Sequence, residues 1–128
     1  MFIAYCVISV LYSAMLTFSA ITKLQPHPQA VAVIHEVIGV PLGLFPVLAG
    51  LELAGALGLL AGIRWPLLGA AAAFGLIIYF VGAMLSHALV GDFTGIWSPV
   101  PMLVLATIVL VLRLKAGNRR AFARTTKD

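Results

Sequence analysis

Three side chains in this sequence carry chemistry into an otherwise apolar chain: Lys23, Glu52 and His87. Glu52 stands in "LAGLELAGALGLLAG" (Leu48–Gly62), where no other side chain is polar. An amine, a carboxyl group and an imidazole together offer hydrogen-bond donors and acceptors to a ligand carbonyl or hydroxyl. The same groups suit proton transfer, with Glu52 and His87 as the acid–base pair. A third use is structural, holding helices together by hydrogen bonds. No metal site is expected, because His27, His35 and His87 lack ligand spacing and have no thiolate partner. No phosphate loop, nucleophile elbow or dinucleotide-binding glycine pattern is present.

The elements that position these groups follow from composition. Of 128 residues, 62% are hydrophobic and 9% charged, and the mean hydropathy is +1.13. A soluble domain is about 45–50% apolar and about 25% charged, so this chain reads as one integral membrane domain. A membrane helix needs about 20 apolar residues to cross about 30 Å of hydrocarbon. Four spans are expected, at about 2–22, 46–63, 66–90 and 97–114, followed by a basic tail, 115–128. The fold class is therefore all-α, an integral membrane four-helix bundle. The first span lacks a basic leader and its apolar run is too long for a cleaved signal peptide. Cys6 is the single cysteine, so no disulfide is expected.

Charge sets the orientation. Arg113, Lys115, Arg119, Arg120, Arg124 and Lys127 cluster at the C-terminal end. With Arg64 they fall on one side of the membrane, leaving Lys23 on the other. The positive-inside rule then puts both termini in the cytoplasm. The basic cluster follows an apolar helix, which points to the lipid bilayer and not to nucleic acid as its partner. Trp65 and Trp97 fall at opposite interfaces, where indole rings are favoured.

The first extracytoplasmic loop, "LQPHPQAVAVIHEVIGVP", is too long for a tight turn and too apolar for a solvated one. Residues 30–38 suit a short interfacial helix, and His35 on its apolar face could point into the bundle. Glu52, Lys23 and His87 all fall in the outer half of the membrane by residue count. Lys23 shares a helical face with Ser19, Leu16, Tyr12, Ser9 and Tyr5, and His87 shares one with Phe80 and Leu76. The expected ligand-binding set is Lys23, Glu52, His87, Ser19, Tyr12, Phe80, Tyr79 and His35. Ala54, Gly58 and Gly62 repeat at fourfold spacing and permit close helix approach or self-association. This pattern makes the second span central and the fourth peripheral.

The order "FSAITKL", "IGVPLGLFPVLAGLELAGALGLLAG" and "AMLSHALVGD" resembles the DoxX-like family of small four-helix bacterial membrane proteins. The resemblance extends from Tyr12 to about Leu114, and Lys23, Glu52 and His87 match the family's recurrent polar positions. It implies an accessory role in the cell membrane. Family members include a subunit associated with quinol oxidation, partners of redox enzymes, and distant relatives that act as chaperones or cargo receptors. The chain has no built-in haem, flavin or iron–sulfur ligand set, so a redox role requires a bound quinone or a partner complex. The expectations are thus a binder of a lipid-soluble molecule such as a quinone, a small isomerase-like enzyme, or a membrane scaffold.

Overall fold

The computed structural model describes residues 2–24, 28, 31–32, 36, 39 and 42–125, with the side chains of 118–125 outside that description. Four long helices dominate: α1 (Phe2–Leu24), α2 (Phe45–Ala61), α3 (Pro66–Leu89) and α4 (Val100–Thr125). Short 3₁₀ turns at Leu42–Leu44 and Gly95–Trp97 precede α2 and α4. No strand occurs among the described residues. The interfacial helix expected at 30–38 and its His35 lie largely outside the described residues.

Sequence chemistry sets the helix boundaries. Pro46 and Pro66 occupy the first turns of α2 and α3, where their missing N–H groups cost nothing. Trp65 precedes Pro66 and is extended (φ −116°, ψ 99°), as the residue before proline must be to avoid its ring. Gly91 ends α3 with φ 76°, a left-handed conformation that glycine adopts without Cβ strain. The Gly91 N–H donates to the Ala88 carbonyl (3.1 Å) and the Asp92 N–H to the His87 carbonyl (2.9 Å). These paired bonds are the Schellman closure of a helix.

The helices pack in a ring, α1 against α2, α2 against α3, α3 against α4, and α4 back against α1. The second span is therefore one stave among four and not the central one, while α4 is the least buried of the three long spans. At 1.5 Å per residue α1, α3 and α4 are each over about 34 Å long, and all three are apolar enough to cross a bilayer. The second apolar helix has only 17 residues, or about 26 Å. The 3₁₀ turn Leu42–Leu44 runs directly into it and adds about 6 Å. Nothing breaks α4 at residue 114; the helix continues through the basic segment to Thr125.

The pattern of burial is the reverse of a water-soluble domain's. Ser9, Ser13, Lys23, Glu52, His87 and Arg113 are buried, while Phe18, Leu57, Leu67, Phe74, Leu89 and Trp97 are exposed. Continuous apolar surface on this scale demands lipid as solvent, and helices satisfy every backbone group within themselves. The chain is a membrane protein.

Small residues close the α2–α3 seam. A Cβ on Gly62 would lie 2.3 Å from Gly69 Cα and 2.4 Å from the Tyr5 hydroxyl, and one on Gly58 would meet Ala72 Cβ at 2.6 Å. Gly58 and Gly62 are thus used within the chain, and of the Ala54–Gly58–Gly62 repeat only Ala54 remains exposed. Gly62→Ala is expected to destabilise the bundle by about 1–3 kcal/mol, because backbone must move to admit the methyl group. Gly75→Ala, which meets open space, should leave stability unchanged or higher; unfolding in detergent by thermal or denaturant titration compares the two.

Candidate functional site

Lys23 and Glu52 meet between α1 and α2. The Lys23 Nζ lies 2.5 Å from Glu52 Oε1 and donates to Ser19 Oγ at 2.9 Å. Tyr79, on α3, donates its hydroxyl to the same Glu52 Oε1 at 2.7 Å. Glu52 is fully buried, and its Oε2 has no hydrogen-bond partner. Lys23 lies one turn beyond Ser19 on the buried stripe of α1, so its stem runs along the bundle interior and delivers the ammonium to the acid. Phe80 packs edge-on to Tyr79, with ring centroids 4.9 Å apart. Three helices thus converge on one carboxylate.

A carboxylate and an ammonium in apolar surroundings are tolerable only when paired and hydrogen-bonded. Among the described residues the Oε2 of Glu52 is left without a partner. Lys23 has three N–H donors, two of which are directed at Ser19 and Glu52. On the outer face of the same helices an open apolar groove of about 420 Å³ runs between α2 and α3, lined in part by Leu51, Ala54, Gly55, Leu68, Ile78 and Tyr79. Tyr79 belongs to both features: its ring walls the groove and its hydroxyl reaches Glu52.

Other expected members sit elsewhere. Tyr12 donates to the Met102 carbonyl at 2.8 Å and ties α1 to α4. His87 does not join the cluster. Its Nδ1 lies 2.9 Å from Asp92 Oδ2, about 12 Å along α3 from Tyr79. The reason is the helix ending: the Schellman closure brings the residue after Gly91 back over the last turn, where His87 stands. Asp92 Oδ1 also accepts from the Gly95 N–H (3.0 Å) and the Thr94 hydroxyl (3.1 Å). One carboxylate therefore ends α3 and holds the following 3₁₀ turn. "HALVGD" carries that signal, a histidine, then glycine and aspartate at the positions that fold back.

Arg113 belongs by sequence to the basic C-terminal cluster, yet it is buried. Its guanidinium lies over the rings of Tyr5 (5.0 Å to the centroid) and Phe2 (5.9 Å), and Nε, Nη1 and Nη2 have no hydrogen-bond partner among the described residues. The signal is periodicity: Ala106, Val109, Arg113 and Ala116 are all buried, at the spacing of one helix face. A desolvated cation–π contact contributes about 2 kcal/mol, against a desolvation cost of several kcal/mol for an unpaired buried ion.

A sequence model of the DoxX-like family matches residues 7–109. The chain belongs to the DoxX-like family. No curated protein and no solved structure matches it. The match runs from residue 7 in α1 to residue 109 in the first half of α4, and so includes Lys23, Glu52, Tyr79, His87 and Asp92 of this DoxX-like protein.

The Asp92 strap titrates in acid. Its hydrogen bond with His87, followed by that from the Gly95 N–H, holds the Asp92 carboxyl below the usual carboxylate range. A lowered folded-state pKa gives stability that is present above the unfolded value, about 3.9, and lost as pH falls through the folded value. Asp92→Asn is expected to flatten the stability profile below about pH 4. A Cβ on Gly95 would overlap Asp92 Oδ2 and approach His87 Nδ1 to 2.5 Å. Gly95→Ala should therefore flatten the same limb; thermal unfolding across the acid range measures both.

Proposed function

We propose that this DoxX-like protein is an accessory membrane protein that binds a lipid-soluble carbonyl compound of the quinone class at the Lys23–Glu52–Tyr79 cluster. The observation that carries this reading is a buried carboxylate held by Lys23 and Tyr79 on one oxygen and bare on the other. A quinone oxygen accepts from an N–H of Lys23. The hydroxyl of the reduced form donates to Glu52 Oε2. The α2–α3 groove suits the apolar tail, and Tyr79 links tail and head-group regions. Electron transfer itself belongs to a partner, so the protein would deliver or retain the molecule for a membrane redox complex. The positive-inside rule puts the termini in the cytoplasm of a cell whose cytoplasmic membrane holds the bundle, and the cluster in the outer half.

Nothing favours the acid–base enzyme to the same degree, because His87 is committed to Asp92 and stands apart from Glu52. The test is a thermal-shift titration of purified protein in nanodiscs with a short-chain ubiquinone. Wild type should be stabilised in proportion to ligand. Glu52→Gln should remove the response, and Tyr79→Phe should weaken binding about tenfold, the equivalent of one hydrogen bond. An identical response in Glu52→Gln, or none in wild type, contradicts the reading.

A further inference from the structure

The opposite end of the bundle holds a second buried ionic side chain, Arg113. Arg113 is 2% exposed, its guanidinium nitrogens have no hydrogen-bond partner among the described residues, and the rings of Tyr5 and Phe2 lie over it. Tyr5 is itself fixed, donating to the Leu59 carbonyl at 2.9 Å and seated in the notch between Gly62 and Gly69. The guanidinium is therefore backed by a rigid ring on one side.

Among the described residues no acid is placed to neutralise it. The acidic residues are Glu36, Glu52, Asp92 and Asp128. Glu52 binds Lys23, which is about 27 Å along α1 from Tyr5. Asp92 binds His87 beyond the far end of α3, and Glu36 belongs to the loop that follows Lys23 at that same far end. Asp128 lies outside the described residues. Helices α1 and α3 both begin at the Arg113 end, and helix N-termini add unpaired N–H groups and positive potential. Arg64 is exposed at this end as well.

We propose that Arg113 is the centre of an anion site that takes the oxyanion of a phosphate group entering from the terminal face of the bundle. The planar fork of a guanidinium matches two phosphate oxygens. Phe2 lies over the guanidinium in the first turn of α1, and local opening costs least at a helix end. Counted from Trp97, Arg113 lies about 24 Å through the membrane, close to the level of the nearer head groups. A phospholipid head group and a free phosphate ion present the same oxyanion there, and the two sources are separable.

The experiment compares wild type with Arg113→Met in native mass spectrometry and thermal unfolding. It uses vesicle-derived phosphatidylglycerol in one arm and inorganic phosphate in detergent in the other, both in about 1 M salt. At that ionic strength exposed basic side chains are screened beyond about 3 Å, while a buried contact persists. Wild type is expected to retain one phosphatidylglycerol per chain and to melt several degrees higher with it. Arg113→Met should lose both effects, with affinity at least tenfold weaker, and Arg113→Lys should fall between. A response of wild type to inorganic phosphate alone, lost in Arg113→Met, supports the site with a soluble anion as its occupant. Equal retention by wild type and Arg113→Met, or no response in either arm, overturns the proposal. If Arg113→Met fails to fold, a ¹⁵N–³¹P dipolar contact from the Arg113 side chain, assigned by its loss in Arg113→Lys, decides it: its presence supports the site and its absence overturns it.

Discussion

Hydrocarbon cannot solvate an ion, so the contact between Lys23 and Glu52 constrains everything else in this bundle. A carboxylate on α2 must meet its cation inside the protein, and the cation comes from the last turn of α1. That requirement fixes the register of the two helices, because the ammonium must arrive at the depth of the acid. Tyr79 then ties α3 to the same oxygen. Three of the four staves are thereby aligned at one level by polar contacts that apolar packing alone would not specify. Removing one partner of such a pair costs about 3–5 kcal/mol because the other charge stays buried, whereas replacing both with apolar groups costs far less.

At the other end the alignment is made by absence of side chain. Gly62 and Gly69 let α2 and α3 approach until no Cβ fits, and Tyr5 fills the notch they leave. A hydroxyl there reaches the Leu59 carbonyl, so α1 is joined to α2 near both of its ends. Between these ends Ser13 donates to the Ala56 carbonyl at 3.2 Å, and Tyr12 reaches Met102 on α4. Such bonds to main-chain carbonyls add directional contacts where lipid gives helices no hydrophobic reason to associate. The two ends differ in kind: one holds an ion pair, the other a buried arginine stacked on aromatic rings.

Much of this is legible in the sequence, and for identifiable reasons. Long apolar runs punctuated by Pro46, Pro66 and Gly91 mark the helices, and a lone Glu52 in such a run must turn inward. Residue counting also puts Lys23 at a matching depth. The same counting misplaces His87, because depth within a helix carries no information about how the chain leaves its end. The glycine after α3 reverses the chain and presents Asp92 to the imidazole before any other helix can. Arg113 is hidden by its company, since a basic cluster reads as a solvated tail until its spacing is compared with Ala106 and Val109. Tyr79 is expected near the ligand for its bulk; its hydroxyl contact with Glu52 depends on the rotation of α3, which composition does not encode. Small residues in the second span suggest a central helix, but on a stave of a ring they serve close packing against neighbours and not centrality.

Energetic coupling between the amine of Lys23 and the carboxylate of Glu52 is what holds the bundle in this register. A double-mutant cycle of Lys23→Met and Glu52→Leu, with unfolding free energies measured in bilayer-like micelles, reads that coupling directly. The structure predicts an interaction energy of at least about 2 kcal/mol, with the double variant more stable than either single one. A value within about 0.5 kcal/mol of zero, the range of independent sites, would mean that the two groups do not meet in the membrane.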